Sequence, residues 1–251
     1  MKVGKYKKIK KPIRKTNKKN KTQKKIPWQT AVKIIKPHVV KIITPRGAGT
    51  GFLCAYSPDK KMCGIATAAH VVEQSDLWEE PIRLYHYSTK KSYIYRVKER
   101  VIYLDKNQDS AVIMIKNDAL LPITPLNFIR VERHIKVGVE IGWVGFPAVS
   151  PNELCFFTGR ISSWGKQFRT YLVDGVAING VSGGPAFHIE HQNIQVIGAV
   201  SAYLPNRVGA TPGLAVISNV DAYQNVIEAL KDWDEAMKKK ENPPSDVNSN
   251  Q

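Results

Sequence analysis

The chain has 251 residues, 43% apolar and 24% charged, which suits a globular protein with a sizeable core and excludes a fibrous or wholly disordered one. Its longest apolar runs, such as Ile65–Val72, are too short to span a bilayer, and three cysteines cannot build a disulfide scaffold. The unusual quantity is charge: 38 Lys and Arg against 21 Asp and Glu leave a net +17.

That charge is concentrated at the start. Residues 1–25 hold twelve Lys and Arg14 with no acid, so they carry thirteen of the seventeen net charges. Like charges repel and little apolar surface is available to bury, so residues 1–27 are expected to form a disordered arm. No apolar run follows to make a secretory signal, and the stretch is Lys-rich without the apolar face of a mitochondrial presequence. Together with the odd cysteine count, this points to the cytoplasm. The arm implies a polyanion such as nucleic acid, held by counterion release, or else a tail that merely aids solubility. Only Tyr6 within it offers a ring for base stacking.

From Trp28 onward, short runs rich in Val, Ile, Tyr, Phe and Thr alternate with turn residues. In chain order they include Val39–Ile43, Gly51–Tyr56, Gly64–Thr67, Ile82–Tyr87, Ser92–Val97 and Ala111–Ile115. They continue through Val139–Val144, Phe156–Ser162, Tyr171–Val173, Ile194–Val200 and Leu214–Ile217. Strand-like runs without long helices between them predict an all-β fold of antiparallel barrels or sandwiches. One helix is predicted at the end, over 219–240, with Tyr223, Val226, Ile227, Leu230, Trp233 and Met237 on one apolar face packed on the barrel. Ser218 and Asp221 stand at capping-box spacing before it. Residues 241–251 are rich in Pro, Ser and Asn and are expected to fray.

Three segments carry chemistry. Asn179-Gly180-Val181-Ser182-Gly183-Gly184-Pro185 places a serine among small residues whose backbone can turn tightly and converge its amides on an oxyanion. A serine hydroxyl needs a neighbouring base, and Thr67-Ala68-Ala69-His70-Val71-Val72 supplies an imidazole at the end of a β-type run. Asp109 precedes the apolar run Ala111–Ile113. Each segment alone reads as ordinary structure, but the order His, Asp, Ser is one of the known orders of the Ser-His-Asp constellation.

With these, the chain resembles the trypsin-like serine peptidases of the chymotrypsin fold. Gly49-Thr50-Gly51-Phe52, Thr67–Val72, Asp109–Ile113 and Gly180–Pro185 look like that family's four signatures. The HtrA-like branch is the most similar, through Asp174 with Ala177-Ile178-Asn179 and the closing runs Ile197–Ser201 and Gly213–Ser218. The resemblance covers roughly residues 35–225. It implies two six-stranded antiparallel β-barrels within a domain over 28–240, the first over about 28–120 and the second over about 134–218. The join would fall in 117–133 and the active site in the cleft between the barrels.

The same resemblance implies a serine endopeptidase acting on protein or peptide substrates through an acyl-enzyme. His70 would be the base, Asp109 its orienting acid and Ser182 the nucleophile, with the amides of Gly180 and Ser182 as the oxyanion hole. It places a substrate pocket on Val176, Ser201, Ala202, Tyr203 and Gly213, uncharged residues that imply a small or medium aliphatic residue before the cleaved bond. Two departures stand out. Val181 occupies the position where trypsin carries Asp and the HtrA-like branch usually carries Asn, and no residues remain after the helix for a PDZ domain.

No cofactor is implied, and neither Cys nor His spacing resembles a zinc site. Cys54 and Cys63 face each other across an expected hairpin and read as buried thiols rather than a disulfide. His38, His86, His134, His188 and His191 have no motif around them and read as structural or surface residues. Two other functions fit the same sequence: an inactive binding protein on this fold, and a nucleic-acid-associated factor tethered by its arm.

Overall fold

The computed structural model describes residues 25–117, 121–130, 133–204 and 213–241. The expected disordered arm over 1–24 and the tail over 242–251 lie outside these residues. Residues 25–27, grouped with the arm from sequence, lie against the body: the Ile26 amide donates to the His191 carbonyl at 3.2 Å. Trp28 then opens a helix, α1 (Trp28–Ile35), where the sequence shows only strand-like runs. Ala31 and Ile35, four apart on one face, are fully buried, and the Trp28 ring meets Phe156 and Phe187 at 5.5 and 5.7 Å between centroids.

Seven strands form the first sheet: β1 (Val39–Thr44), β2 (Gly47–Tyr56), β3 (Met62–Thr67), β4 (Ile82–His86), β5 (Lys91–Tyr95), β6 (Arg100–Asp105) and β7 (Ser110–Lys116). They pair antiparallel in the order β5-β4-β1-β2-β3-β7-β6. Six more close a barrel: β8 (Glu140–Gly145), β9 (Cys155–Gly165), β10 (Thr170–Asp174), β11 (Pro185–Glu190), β12 (Asn193–Leu204) and β13 (Leu214–Asn219). Its order is β10-β13-β12-β11-β8-β9, with β9 pairing β10 to complete the ring. The all-β expectation therefore holds, and the second barrel has the six strands expected of it.

The first half is instead a half-barrel of seven strands. β5 pairs with β4 and β6 with β7, and a 3-10 turn over Val97–Glu99 separates them. The chain bends there because Arg100, 6% exposed, turns its guanidinium inward and donates to the carbonyls of Tyr95, Ser75 and Glu80 at 2.7, 3.0 and 2.7 Å. A single strand is thereby broken into two at a corner, a usual way for sheets to turn.

Of the two remaining helices, one follows from tertiary context and one from sequence. After β3 the chain enters α2 (Ala69–Leu77), burying Ala69, Val72 and Ser75, although Val71 and Val72 favour a strand locally. α3 (Asp221–Glu241) matches the predicted final helix. Its cap differs from the expected box. Ser218 lies within β13, and Asp221, the first helical residue, pairs with Arg169 at 3.1 Å. Tyr223 is fully buried against Phe52, and its hydroxyl donates to the Thr67 carbonyl at 2.9 Å, fastening α3 to the first sheet.

Candidate active site

The first wall of the site is built where β3 and β7 end side by side. Thr67 pairs with Ala111, so the residues just beyond these ends, His70 on α2 and Asp109 in the turn before β7, are brought together. Asp105 shapes that turn by accepting from the amides of Asn107 and Gln108 at 3.0 and 3.1 Å. Asp109 itself takes a left-handed backbone, φ +47°, a conformation Asp tolerates better than most residues. Its Oδ1 accepts from the His70 backbone amide at 3.0 Å, and its carboxylate meets Nδ1 of His70 at 2.8 and 3.0 Å.

A further partner comes from the closed barrel. Ser201 on β12, 7% exposed, donates its hydroxyl to Oδ2 of Asp109 at 2.5 Å. Burial raises the Asp109 pKa, but the hydrogen bonds from His70 and Ser201 outweigh it and hold the carboxyl below its ordinary value. Ser201, placed in the pocket wall by sequence reasoning, therefore also acts on the acid.

The second wall is the loop between β10 and β11, and Thr50 of β2 holds it from across the interface. The Thr50 amide donates to the Ser182 carbonyl at 2.8 Å, and its hydroxyl donates to the Gly180 carbonyl at 2.8 Å. The same hydroxyl accepts from the Phe146 amide at 3.0 Å. Gly180 and Gly183 both take positive φ, +91° and +83°. A Cβ on Gly183 would stand 2.1 Å from the Thr50 carbonyl oxygen, so glycine is required there.

Between them Val181 is fully buried and packs against Gly145, its amide bonded to the Ile178 carbonyl at 3.0 Å. An apolar anchor thus occupies the position where the sequence departs from the trypsin pattern. The Val181 anchor and the Thr50 bonds leave the Gly180 and Ser182 amides with no carbonyl partner among the described residues.

His70, Asn179 and Ser182 line two recesses of the cleft. One, about 390 Å³, is bounded by Asp109, Ala177, Ile178, Val200, Ser201 and Ala202. The other, about 230 Å³, is bounded by Thr44, Arg46, Val71, Gln74 and Gly180 among others. The Ser182 hydroxyl has no hydrogen-bond partner among the described residues; contacts of this kind often tighten only around a substrate.

Of the sequence-derived pocket, Ser201 and Ala202 line the larger recess. Val176 does not: it is 44% exposed and lies outside both recesses, and Ala177 and Ile178 stand at the cleft instead. Gly213 is buried and lines neither recess, and the expectation for the Tyr203 side chain lies outside the described residues. Sequence reasoning also missed Thr50 as the clamp, although it stood within the quoted Gly49–Phe52 signature.

Outside the cleft, Cys54 and Cys63 are buried thiols, and burial pushes the Cys54 pKa up to about 12. His38 and His86 are tied to backbone carbonyls, and His134 stacks on Trp164 at 4.2 Å. Among the described residues no group of three His, Cys, Asp or Glu gathers to hold a metal. None of their helices is long and apolar enough to cross a membrane.

A family model described as the trypsin-like peptidase domain matches residues 49–198. Among solved structures, the chain is similar to the serine endoprotease from Yersinia pestis. The two share 21% identity and a TM-score of 0.60, over 82% of this chain and 67% of that one, a likeness of fold. No curated protein matches the sequence.

Proposed function

The chain belongs to the trypsin-like peptidase family, and from that premise we propose that it is a serine endopeptidase working through Ser182, His70 and Asp109. As a peptidase it acts on proteins or peptides. In the proposed reaction the Ser182 hydroxyl attacks the scissile carbonyl while Nε2 of His70 takes its proton, and the leaving amine receives that proton as the acyl-enzyme forms. Water then repeats the sequence and frees Ser182. Asp109 holds the Nδ1 proton of His70, so Nε2 is the nitrogen presented to Ser182. The amides of Gly180 and Ser182 would stabilise the oxyanion.

The single observation supporting this reading most directly is the carboxylate of Asp109 against Nδ1 of His70, in a cleft that Ser182 also lines. The walls of the larger recess offer a substrate side chain only uncharged residues apart from Asp109, which is already engaged. We therefore infer a small or medium aliphatic residue before the cleaved bond, now accommodated by Ala177, Ile178 and Ala202 rather than by Val176. Residues 1–25 are proposed as a separate polyanion tether that does not shape the cleft.

Labelling with an active-site fluorophosphonate, wild type against Ser182→Ala, tests the reading. Labelling of the wild type alone is expected, with turnover of a peptide substrate falling on the order of 10⁶ in the variant. Equal labelling of both proteins, or none, would leave an inactive binding protein on this fold.

A further inference from the structure

A groove on the described surface lies away from the cleft. It has about 940 Å³ and opens at the corner where β5 and β6 part. β3 and β7 run from the cleft at Thr67 and Ser110 to this groove at Met62 and Lys116, so at about 3.3 Å per residue it lies roughly 20 Å from the catalytic residues. β5 and β6 are the two edges of the sheet, with no strand beyond either among the described residues.

Its lining combines apolar and basic side chains. Tyr93, Ile94 and Val101 line it and are 36, 51 and 52% exposed, although large apolar side chains gathered at a sheet edge invite a partner strand. Lys60, Lys61, Lys98 and Lys116 line it with them. Lys61 is paired with Asp59 at 3.2 Å, and Glu99, the one acid of the lining among the described residues, is bound to the Arg96 amide at 2.8 Å.

We propose that this groove is a second binding site, separate from the catalytic cleft, for an extended peptide segment that alternates apolar and acidic residues. An extended strand turns successive side chains to opposite sides, so apolar residues can rest on Ile94 and Val101 while the acidic ones reach the lysines. The charge of the lining selects the occupant. The chain's own arm over 1–25 has no acid and twelve Lys, so it is repelled. Phosphates would suit the lysines but leave the Ile94 and Val101 contacts with nothing apolar to cover them, which favours a peptide over a nucleic acid. The site does not depend on the triad, and a segment bound there leaves the cleft unaltered.

The test titrates the full chain against a fluorescent eight-residue peptide alternating Glu and Leu, with an alternating Lys-Leu peptide and an oligouridylate as companions. Whatever the arm contributes is common to every variant. Reversing charge in Lys60→Glu/Lys98→Glu/Lys116→Glu is expected to weaken the Glu-Leu peptide at least tenfold. Ile94→Ser/Val101→Ser is expected to weaken it several-fold while leaving oligouridylate binding unchanged. Both variants should keep wild-type hydrolysis of a short peptide. Unchanged affinity for the Glu-Leu peptide in both variants overturns the proposal, as does a loss confined to oligouridylate. Should either variant melt early, hydrogen exchange on the wild type decides: protection over 91–104 on adding the peptide supports the site, and none there overturns it.

Discussion

The Ser201 hydroxyl donates to Oδ2 of Asp109 at 2.5 Å, so a strand of the closed barrel holds the acid that the other sheet carries. The cleft is thereby braced by the same contact that orients its acid. Removing the donor should loosen Asp109 without removing its bonds to His70. A hydrogen bond to a charged group contributes about 1.5–3 kcal/mol, so Ser201→Ala should lower kcat by about ten- to a hundredfold with little change in KM. Its acidic limb should also move to higher pH, because the charged form of Asp109 loses a donor. An unmoved limb would make Ser201 merely structural.

Asp109 also predicts how the protein responds to acid. Its folded pKa lies below the ordinary 3.8, so the folded state holds the carboxylate more firmly than the unfolded chain does. Its contribution is therefore present above that ordinary value and lost as pH falls through the lower folded one. Thermal melting across the acid range should show wild type losing stability more steeply than Asp109→Asn. Parallel curves would contradict this.

Thr50→Val keeps the shape of the side chain while removing the hydroxyl that bridges Gly180 and Phe146. A buried amide and a carbonyl lose their partner, which costs about 1–3 kcal/mol in a urea melt. The Gly180 amide should also become less well placed for an oxyanion, so kcat should fall more than KM rises. A variant with normal turnover would show that the clamp does not govern the loop.

Gly183→Ala is expected to be worse than any of these. The added Cβ meets the Thr50 carbonyl oxygen at 2.1 Å and sits on a backbone with φ +83°. Backbone lies on both sides of that clash, so neither part can swing away. Soluble, active Gly183→Ala protein would disprove the geometry of the loop.

Val181 offers a choice of two substitutions. Val181→Ala leaves a cavity in the core, costing about 2 kcal/mol of stability while keeping the apolar anchor. Val181→Asp restores the trypsin pattern but places a carboxylate at a fully buried position, and should destabilise far more. Comparing the two by chemical denaturation separates apolar anchoring from tolerance of charge.

The sequence by itself determined the all-β class and the final helix and marked the residues proposed for the chemistry, because each leaves a local mark. Alternating β-branched and aromatic runs mark strands, Tyr223, Val226 and Ile227 mark a helical face, and glycines around Ser182 mark a tight turn. His70 and Asp109 were legible as a pair only through their chain order, and a separation of 39 positions along the chain hides their contact. What tertiary structure alone decided is what depends on two distant segments at once. Val71 and Val72 favour a strand, yet packing of Ala69, Val72 and Ser75 on the first sheet makes α2. Arg100 looks like a surface charge, yet three carbonyls draw it inward and break one strand into two. Val176 stands six residues before Ser182 yet is 44% exposed, and the recess is lined instead by Ala177 and Ile178 of the loop after β10 together with Val200 and Ala202 of β12. Spacing along a chain specifies which residues are near in sequence, and only the closure of the barrel specifies which way they face.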